Sequence, residues 1–235
     1  MPTAAGFYLR YLLDALNGLG LMDGVSPLPE VGERVALDLV DQVLMQALAT
    51  PAAPTPLSLQ LGQAVTPVAL DVLAYASMSS HTLGDAVALL CQFETYRLGF
   101  ARCEVTAEGP DTVVELQITE NGSWPSMALQ VETCLAGWIT FGRWITASRS
   151  RPRCIELAHA GPADTRAYEA FFQCPVYFGR DRHAVHLPHA LLATPLATSN
   201  PTVSHLMRDE MQRRIERFTA GALFLTQFEQ AIEDS

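Results

Sequence analysis

The sequence contains no lysine, so all 15 of its basic residues are arginines. These face 25 acidic residues, which gives the chain a formal net charge of −10. A surface with such an excess of negative charge repels a phosphate backbone, because nucleic-acid binding depends on cationic side chains that neutralise phosphates. The charge therefore argues against nucleic-acid binding by these 235 residues on their own.

The cysteines form none of the common binding or cross-linking patterns. There are five of them, dispersed and without a C-x-x-C pair: Cys91, Cys103, Cys134, Cys154 and Cys174. An odd and scattered set argues against a disulfide framework and against a zinc site. Most of them lie among apolar residues, which is typical of small core side chains in a reducing compartment.

Long apolar runs are also missing. A helix that spans a bilayer needs about 20 consecutive apolar residues, and no segment approaches that length. Near the N-terminus, Arg10 and Asp14 interrupt an amphipathic pattern, which differs from the uninterrupted apolar core of a secretory signal. With 49% hydrophobic and 17% charged residues, the chain is predicted to be a folded, cytoplasmic protein that does not associate with membranes.

Motifs for catalysis are absent as well. The sequence has no G-x-S-x-G, P-loop or G-x-G-x-x-G pattern. His183, His186 and His189 form an H-x-x-H-x-x-H pattern, but residues three apart on a strand face opposite sides, and Pro188 prevents a helix. We therefore predict no catalytic residue, metal site or cofactor, and we expect that the protein is not an enzyme.

Apolar residues at helical spacing predict several helices. The predicted segments are 7–16, 35–48, 60–76 with a break near Pro67, 123–147 and 203–218. The segment Thr82-Leu-Gly-Asp85 has the form of a capping box, in which the Thr82 hydroxyl accepts the Asp85 N–H while the Asp85 side chain accepts from the Thr82 backbone. It predicts a further helix that ends at about Arg97.

After Gly99 the pattern changes from helical to alternating. Residues 101–107 and 114–118 alternate apolar and polar side chains around a turn at 108–111, which predicts a β-hairpin. Further strands are predicted in three segments: 154–158, 176–178 and 184–187. The expected fold class is α+β, with a partly antiparallel sheet covered by helices, a helical N-terminal region and a C-terminal amphipathic helix.

Aromatic side chains concentrate on two of the predicted helices, which suits the walls of a small-molecule pocket. The candidate ligand-binding residues are Phe93, Tyr96, Arg97, Trp138, Phe141, Arg143 and His186. Either arginine could hold the carboxylate of an effector through two parallel hydrogen bonds. The simpler alternative is that the aromatic residues form the core between two packed helices.

Two segments carry a resemblance to a known family. The first contains Tyr75, Ser79, Ser80, Thr82, Leu83, Gly84, Asp85 and Ala86, followed by Leu89 and Leu90. The second contains His159, Pro162, Tyr168, Phe171, Phe172, Cys174, Pro175, Val176, Phe178, Gly179, Leu187, Pro188, Leu191, Leu192, Pro195 and Leu196. In this order and spacing they resemble the N-terminal, arabinose-binding-like sensor domain of AraC-type transcription regulators of the ornithine-utilisation-regulator subgroup.

The resemblance covers essentially the whole chain and implies a bacterial, cytoplasmic regulator. In that family an effector-binding and often dimerising sensor half precedes a DNA-binding half with two helix-turn-helix units. Residues 1–200 would be the sensor domain, and 201–235 would be dimerisation or linker helices leading to a helix-turn-helix domain that this sequence does not contain. An apolar stripe of Phe224, Phe228 and Ile232 would then lack its cover, so we expect a fragment cut from a longer protein, with a natural truncation as the alternative.

The resemblance predicts the ligand-sensing and dimerisation domain of a transcription regulator, with DNA bound only through the absent domain. The predicted partners are a small-molecule effector and a second copy of the chain, and the predicted dimer contact is the stripe of Leu206, Met207, Met211 and Ile215. The matching residues are mainly cap, turn and core positions, so they indicate the domain and not its effector. The alternatives are a stand-alone small-molecule-binding or anti-activator protein, and an enzyme with an unrecognised site.

Overall fold

The computed structural model describes residues 2–22, 29, 32–51, 56–119, 124–148 and 151–233, with the backbone alone for 221–233. The elements follow the chain in this order: β1 (Thr3–Ala5), α1 (Gly6–Gly18), β2 (Arg34–Ala36), α2 (Leu37–Leu48), α3 (Leu57–Gln63), a 3₁₀ turn (Val68–Leu70), α4 (Val72–Met78), α5 (Leu83–Leu98), β3 (Ala101–Glu108), β4 (Asp111–Ile118), α6 (Met127–Thr146), β5 (Cys154–Leu157), α7 (Arg166–Phe172), β6 (Val176–Phe178), β7 (Ala184–Pro188), α8 (His189–Leu192) and α9 (Pro201–Glu233).

The main sheet has five strands in the order β3-β4-β7-β5-β6. The predicted hairpin is confirmed: β3 and β4 pair antiparallel from Ala101 with Ile118 to Glu108 with Asp111. Gly109 closes its turn at a φ of 57°, a conformation that favours glycine. β7 pairs antiparallel with both β4 and β5, whereas β5 and β6 are parallel. The predicted α+β fold with a partly antiparallel sheet is therefore confirmed.

Helix α6 packs against this sheet and forms the centre of the core. Val114, Ile155 and Val185 of the sheet belong to the same buried cluster as Leu135 and Ile139 of α6. Branched and aliphatic side chains of this kind contribute about 1.5–3 kcal/mol each when they are fully buried. The long apolar helix predicted from the sequence thus contributes side chains to the same core as the sheet.

Helix α5 has clear signals at both ends. The predicted capping box is present, because Asp85 Oδ2 accepts the Thr82 N–H at 2.9 Å and Thr82 Oγ1 accepts the Asp85 N–H at 3.2 Å. Gly99 ends the helix at a φ of 73°. A Cβ at Gly99 would lie 1.8 Å from the Thr3 carbonyl oxygen, so both the backbone conformation and the close contact require glycine there.

A two-stranded sheet near the N-terminus was not predicted. β1 and β2 pair antiparallel from Thr3 with Ala36 to Ala5 with Arg34. Strands of three residues are too short to show an alternating pattern, and the predicted helix 35–48 accordingly begins two residues later, at Leu37. The Arg34 guanidinium holds this sheet to α5 by donating to the carbonyl oxygens of Thr3 and Tyr96.

Helix α9 is 33 residues long and exceeds the predicted segment 203–218 at both ends. It packs along α4 and α5. The stripe predicted from Phe224, Phe228 and Ile232 lies outside the side chains that the structure describes. None of the helices in the described ranges combines the length and the apolar character that crossing a membrane requires.

Candidate functional site

A small apolar cavity of about 60 Å³ lies between α5 and α6. We call it the α5–α6 cavity. Its walls also include residues of α1 and α4, so four helices from separate parts of the chain build it. The aliphatic and aromatic lining includes Tyr8, Tyr11, Leu73, Leu83, Val87, Leu90, Trp138, Phe141 and Ile145. Apolar walls with a few polar groups are typical of small-molecule sites.

A buried ion pair forms the polar part of this wall. Arg97 lines the cavity and donates from Nε to Glu94 Oε2 at 2.8 Å and from Nη2 to Glu94 Oε1 at 2.6 Å. Trp138 Nε1 donates to the same Glu94 Oε1 at 2.9 Å. Glu94 is 0% exposed and Arg97 is 4% exposed. The two charges therefore neutralise each other inside the protein, and Arg97 does not present an unpaired charge to the cavity.

The protonation state of this wall follows from its burial. Burial by itself lowers the pKa of Arg97, but the Glu94 carboxylate outweighs that effect and the net pKa is raised well above its usual value. Burial likewise raises the pKa of Tyr8 well above the ordinary value, which keeps its hydroxyl protonated. The Arg97 guanidinium carbon lies 5.2 Å from the centre of the Tyr8 ring, within the range of a cation–π contact.

Two buried hydroxyls in the same wall have unused hydrogen-bonding capacity. Neither Tyr8 Oη nor Thr133 Oγ1 has a hydrogen-bond partner of ordinary geometry among the described residues, although the weakly polar Cys134 thiol lies beside Tyr8. Tyr11, in contrast, donates to the Leu61 carbonyl oxygen. Leaving a buried hydroxyl unpaired costs about 1–3 kcal/mol, so a ligand that pairs with one recovers that energy.

A second apolar cavity, of about 70 Å³, lies next to the first. The two share Leu83, Val87, Leu90 and Trp138 as lining residues. Arg143 lies at this second cavity, where its two Nη atoms donate to the carbonyl oxygens of Phe171 at 2.8 Å and Phe172 at 2.6 Å. Arg143 thus holds the end of α7, and burial lowers its pKa.

The structure brings together three of the seven predicted ligand-binding residues at the α5–α6 cavity: Arg97, Trp138 and Phe141. Phe93 and Tyr96 point to another face of α5, where they stack with Phe7 in a separate apolar cluster. His186 lies on β7, away from the cavity lining, with its Nε2 3.1 Å from Glu156 Oε2. The aromatic residues of α5 therefore divide between a cavity and a core.

Sequence reasoning missed the two hydroxyls and the partner of Arg97. Tyr8 and Thr133 lie 125 positions apart in the chain, and no local pattern connects them. Glu94 could have been found, because Glu and Arg three residues apart in a helix are neighbours on one face. Their position among apolar residues was the available indication that this pair is buried.

The four predicted dimerisation residues divide between two environments. Met211 is 2% exposed and packs in one cluster with Phe7 and Phe93 of its own chain. Met207 and Ile215 pack against the same cluster, whereas Leu206 is 54% exposed. The structure thus places three of the four in an intramolecular contact, because this stripe of α9 covers α4 and α5. Dimerisation through these residues remains a prediction.

The three histidines of the H-x-x-H-x-x-H pattern have three different sets of partners. His183 Nδ1 accepts the Ala158 N–H at 3.2 Å, His186 contacts Glu156, and His189 Nδ1 lies 2.8 Å from Thr112 Oγ1. They do not converge on one point. Within the described ranges, no group of three potential metal ligands is close enough to hold an ion.

A second polar cluster surrounds Glu132 of α6. Glu132 Oε2 accepts hydrogen bonds from Ser58 Oγ at 2.5 Å and Tyr168 Oη at 2.9 Å, and Glu132 Oε1 lies 2.9 Å from His159 Nε2. This cluster joins α3, α6 and α7 beneath the sheet. It also gives a physical role to His159 and Tyr168, two of the residues on which the family resemblance rests.

Comparison with protein families identifies the class. Residues 29–196 match the family described as the arabinose-binding domain of AraC transcription regulators, N-terminal. The match covers more than two thirds of the 235 residues, and the chain therefore belongs to this family. The resemblance noted in the sequence is confirmed.

Two relatives give more detail. The chain is 27% identical over 218 residues to the ornithine utilization regulator of Pseudomonas aeruginosa, which covers 87% of this chain and 62% of that protein. The crystal structure of the transcriptional regulator CdpR from Pseudomonas aeruginosa matches with a TM-score of 0.68 and 21% identity over 90% of this chain and 65% of that one. The chain thus spans less than two thirds of either relative, and both are described as regulators rather than enzymes.

Proposed function

We propose that this chain is the effector-sensing domain of an AraC-family transcription regulator and that the effector binds in the α5–α6 cavity. One observation carries the proposal: the wall of a small apolar cavity contains Arg97, paired with the buried Glu94, and two buried hydroxyls, of Tyr8 and Thr133, that have no hydrogen-bond partner of ordinary geometry among the described residues. Unpaired polar groups around an apolar space suit a ligand better than a packed core does.

The chemistry of the wall favours a neutral and largely apolar effector. Arg97 was expected to clamp a carboxylate, but both of its donating positions toward Glu94 are occupied at 2.6 and 2.8 Å. A carboxylate ligand would bring a second negative charge to a buried guanidinium whose charge Glu94 already neutralises, and burying that extra charge is unfavourable. The Tyr8 and Thr133 hydroxyls can still donate to, or accept from, one polar group of an uncharged ligand.

The proposed mechanism is a shift between two arrangements of the helices. α4 and α5 line the cavity on one side and contact α9 on the other, through Met211. A ligand that binds one arrangement of α4 and α5 more tightly shifts the population toward it, and α9 moves with that surface. In the whole regulator, which we place in the bacterial cytoplasm, α9 would pass this change to a helix-turn-helix domain that contacts DNA.

Thermal-shift measurements with a chosen panel test the site. A ligand that binds the native state raises its melting temperature. We expect shifts with neutral apolar probes such as indole and 1-hexanol, and none with ornithine or L-arabinose. Shifts with the charged probe and none with the apolar ones would overturn the assignment of ligand class.

A cavity-filling variant provides the control. Gly142 lines the cavity, and a Cβ at this position would meet no atom within 4 Å. Gly142 also lines the second cavity, so Gly142→Leu should extend its side chain into this shared space and abolish the probe-induced shift, while its melting temperature without a probe reports whether the variant stays folded. Gly18→Leu, at an exposed glycine outside the cavity lining, is the matched variant and should retain the shift. Equal shifts in both variants would place the ligand elsewhere.

The proposed homodimer is tested separately. Leu206 is the exposed member of the predicted contact, so Leu206→Asp should convert a dimer to a monomer in light scattering. Met211→Asp should instead unfold the chain, because it places a charge in an intramolecular core. A dimer that persists in Leu206→Asp would put the contact on another surface.

A further inference from the structure

Two cysteines lie in direct contact on neighbouring elements. Cys91 is in α5 and Cys103 is in β3, and their Sγ atoms are 2.6 Å apart. A disulfide needs a separation of about 2.05 Å, so a movement of roughly half an ångström joins the two atoms. The sequence spacing of these residues had given no reason to expect a pair.

Both cysteines are partly exposed residues. Cys134, in contrast, is buried, with only 3% of its surface exposed. The pKa of Cys103 is raised, first by its hydrogen bond with Cys91 and then by burial, so Cys103 retains its proton.

We propose that Cys91 and Cys103 are a reversible oxidation site, in which hydrogen peroxide converts the two thiols to a disulfide. One of the two thiols loses its proton and attacks the peroxide, the O–O bond breaks, and that cysteine becomes a sulfenic acid while the leaving hydroxide takes up the proton as the first water. The other sulfur then attacks the sulfenic sulfur, the S–S bond forms, and the S–O bond breaks as hydroxide leaves with the second thiol proton as a second water. The two thiols lose two electrons, which the peroxide accepts.

The position of the pair links this chemistry to the fold. Cys91 directly follows Leu90, which lines both apolar cavities, and Cys103 lies on the first strand of the hairpin. A disulfide would fix the middle of α5 to the edge of the sheet. It would also constrain the unfolded chain, so the oxidised protein should melt at a higher temperature than the reduced one.

Peptide mapping of the whole 235-residue chain tests the site. The reduced protein is treated with hydrogen peroxide at a one-to-one ratio, alkylated without reductant and digested. We expect one linked pair of peptides joined through Cys91 and Cys103, lighter by two hydrogen atoms than the free peptides, and its loss after dithiothreitol. Free Cys91 and Cys103 after treatment that oxidises other thiols would overturn the proposal, as would sulfinic acid at Cys91 without a link.

Matched variants separate a specific pair from general reactivity. Cys91→Ser and Cys103→Ser should each abolish the linked peptide and the rise in melting temperature. Cys154→Ser removes another half-buried thiol and should leave both unchanged. A linked peptide in Cys91→Ser, or its loss in Cys154→Ser, would contradict the assignment. Because the wild-type map alone decides whether the bond forms, a variant that folds poorly does not remove the test.

Discussion

The Glu94–Arg97 pair makes a strong prediction about stability. Glu94 is 0% exposed and accepts three hydrogen bonds, two from Arg97 and one from Trp138. Glu94→Gln keeps the shape of the side chain but removes the charge that faces the buried guanidinium. Removing one partner of a buried ion pair costs about 3–5 kcal/mol, because the other charge stays buried without compensation. We expect the free energy of unfolding to fall by that amount.

The double variant Glu94→Leu with Arg97→Met distinguishes a lost counter-charge from lost packing. It removes both charges, and replacement of a buried pair by apolar residues is often neutral or stabilising. Trp138 Nε1 loses its acceptor in this variant, which costs about 1–3 kcal/mol if the group stays buried. The double variant should therefore be more stable than Glu94→Gln, although it carries one more substitution.

Urea unfolding followed by tryptophan fluorescence measures both free energies, since stability falls linearly with denaturant. Asp164→Asn is the control, because the Asp164–Arg166 pair is exposed and should contribute nothing measurable. A loss below about 1 kcal/mol in Glu94→Gln would refute the argument that the pair is desolvated. So would a double variant less stable than the single one.

Three further predictions concern the rest of the fold. Gly99→Ala should destabilise the chain by at least about 2 kcal/mol in urea unfolding, because its Cβ would collide with the Thr3 carbonyl and its backbone is left-handed. Thr82→Ala removes the acceptor for the Asp85 N–H and should cost about 1 kcal/mol in the same assay; no loss would mean that the cap is replaced by solvent. Burial, aided by His159, lowers the pKa of His183 to about 4. Since an unfolded histidine titrates near 6.5, only the unfolded chain takes up this proton as pH falls from about 6.5 to 4, so stability should decline over that range. The decline should be smaller in His183→Asn, which keeps an acceptor for the Ala158 N–H; an equal decline would assign it to other groups.

Local sequence patterns were sufficient to predict α5 and the β-hairpin that follows it after Gly99. The capping box at Thr82 and the left-handed glycine at Gly99 enclose α5, and the change from helical to alternating spacing after Gly99 predicts the hairpin. The capping box joins residues three positions apart, and the hairpin joins two strands through a short turn, so both are visible in the local sequence. The left-handed backbone of Gly99 and its close contact with Thr3 were not predicted.

The strands β1 and β2 were not predictable in this way. Each has only three residues, and they pair across about 30 positions of chain. Arg34 holds the two strands to α5 by donating to carbonyl oxygens. In the sequence, it cannot be distinguished from an arginine on the solvated surface. Its role follows from long-range contacts alone.

The candidate site illustrates the same division. The sequence placed Arg97, Trp138 and Phe141 on two apolar helices, and all three line one cavity. It also placed Phe93 and Tyr96 with them, but these point to another face of α5, where α9 covers them. The helical period shows which residues share a face, whereas the neighbour of each face is set by how distant helices pack.

The sequence by itself determined that this chain is acidic, free of lysine, and built as an α+β domain with family-typical caps, turns and core positions. These properties follow from composition and from interactions between near neighbours. Only the tertiary structure decided that Arg97 is neutralised by Glu94, that Met211 faces inward, and that Cys91 meets Cys103. Each of these depends on which distant surfaces pack together and exclude water. The free-energy cost of a charged or polar side chain is set by its burial and by its partners more than by its residue type.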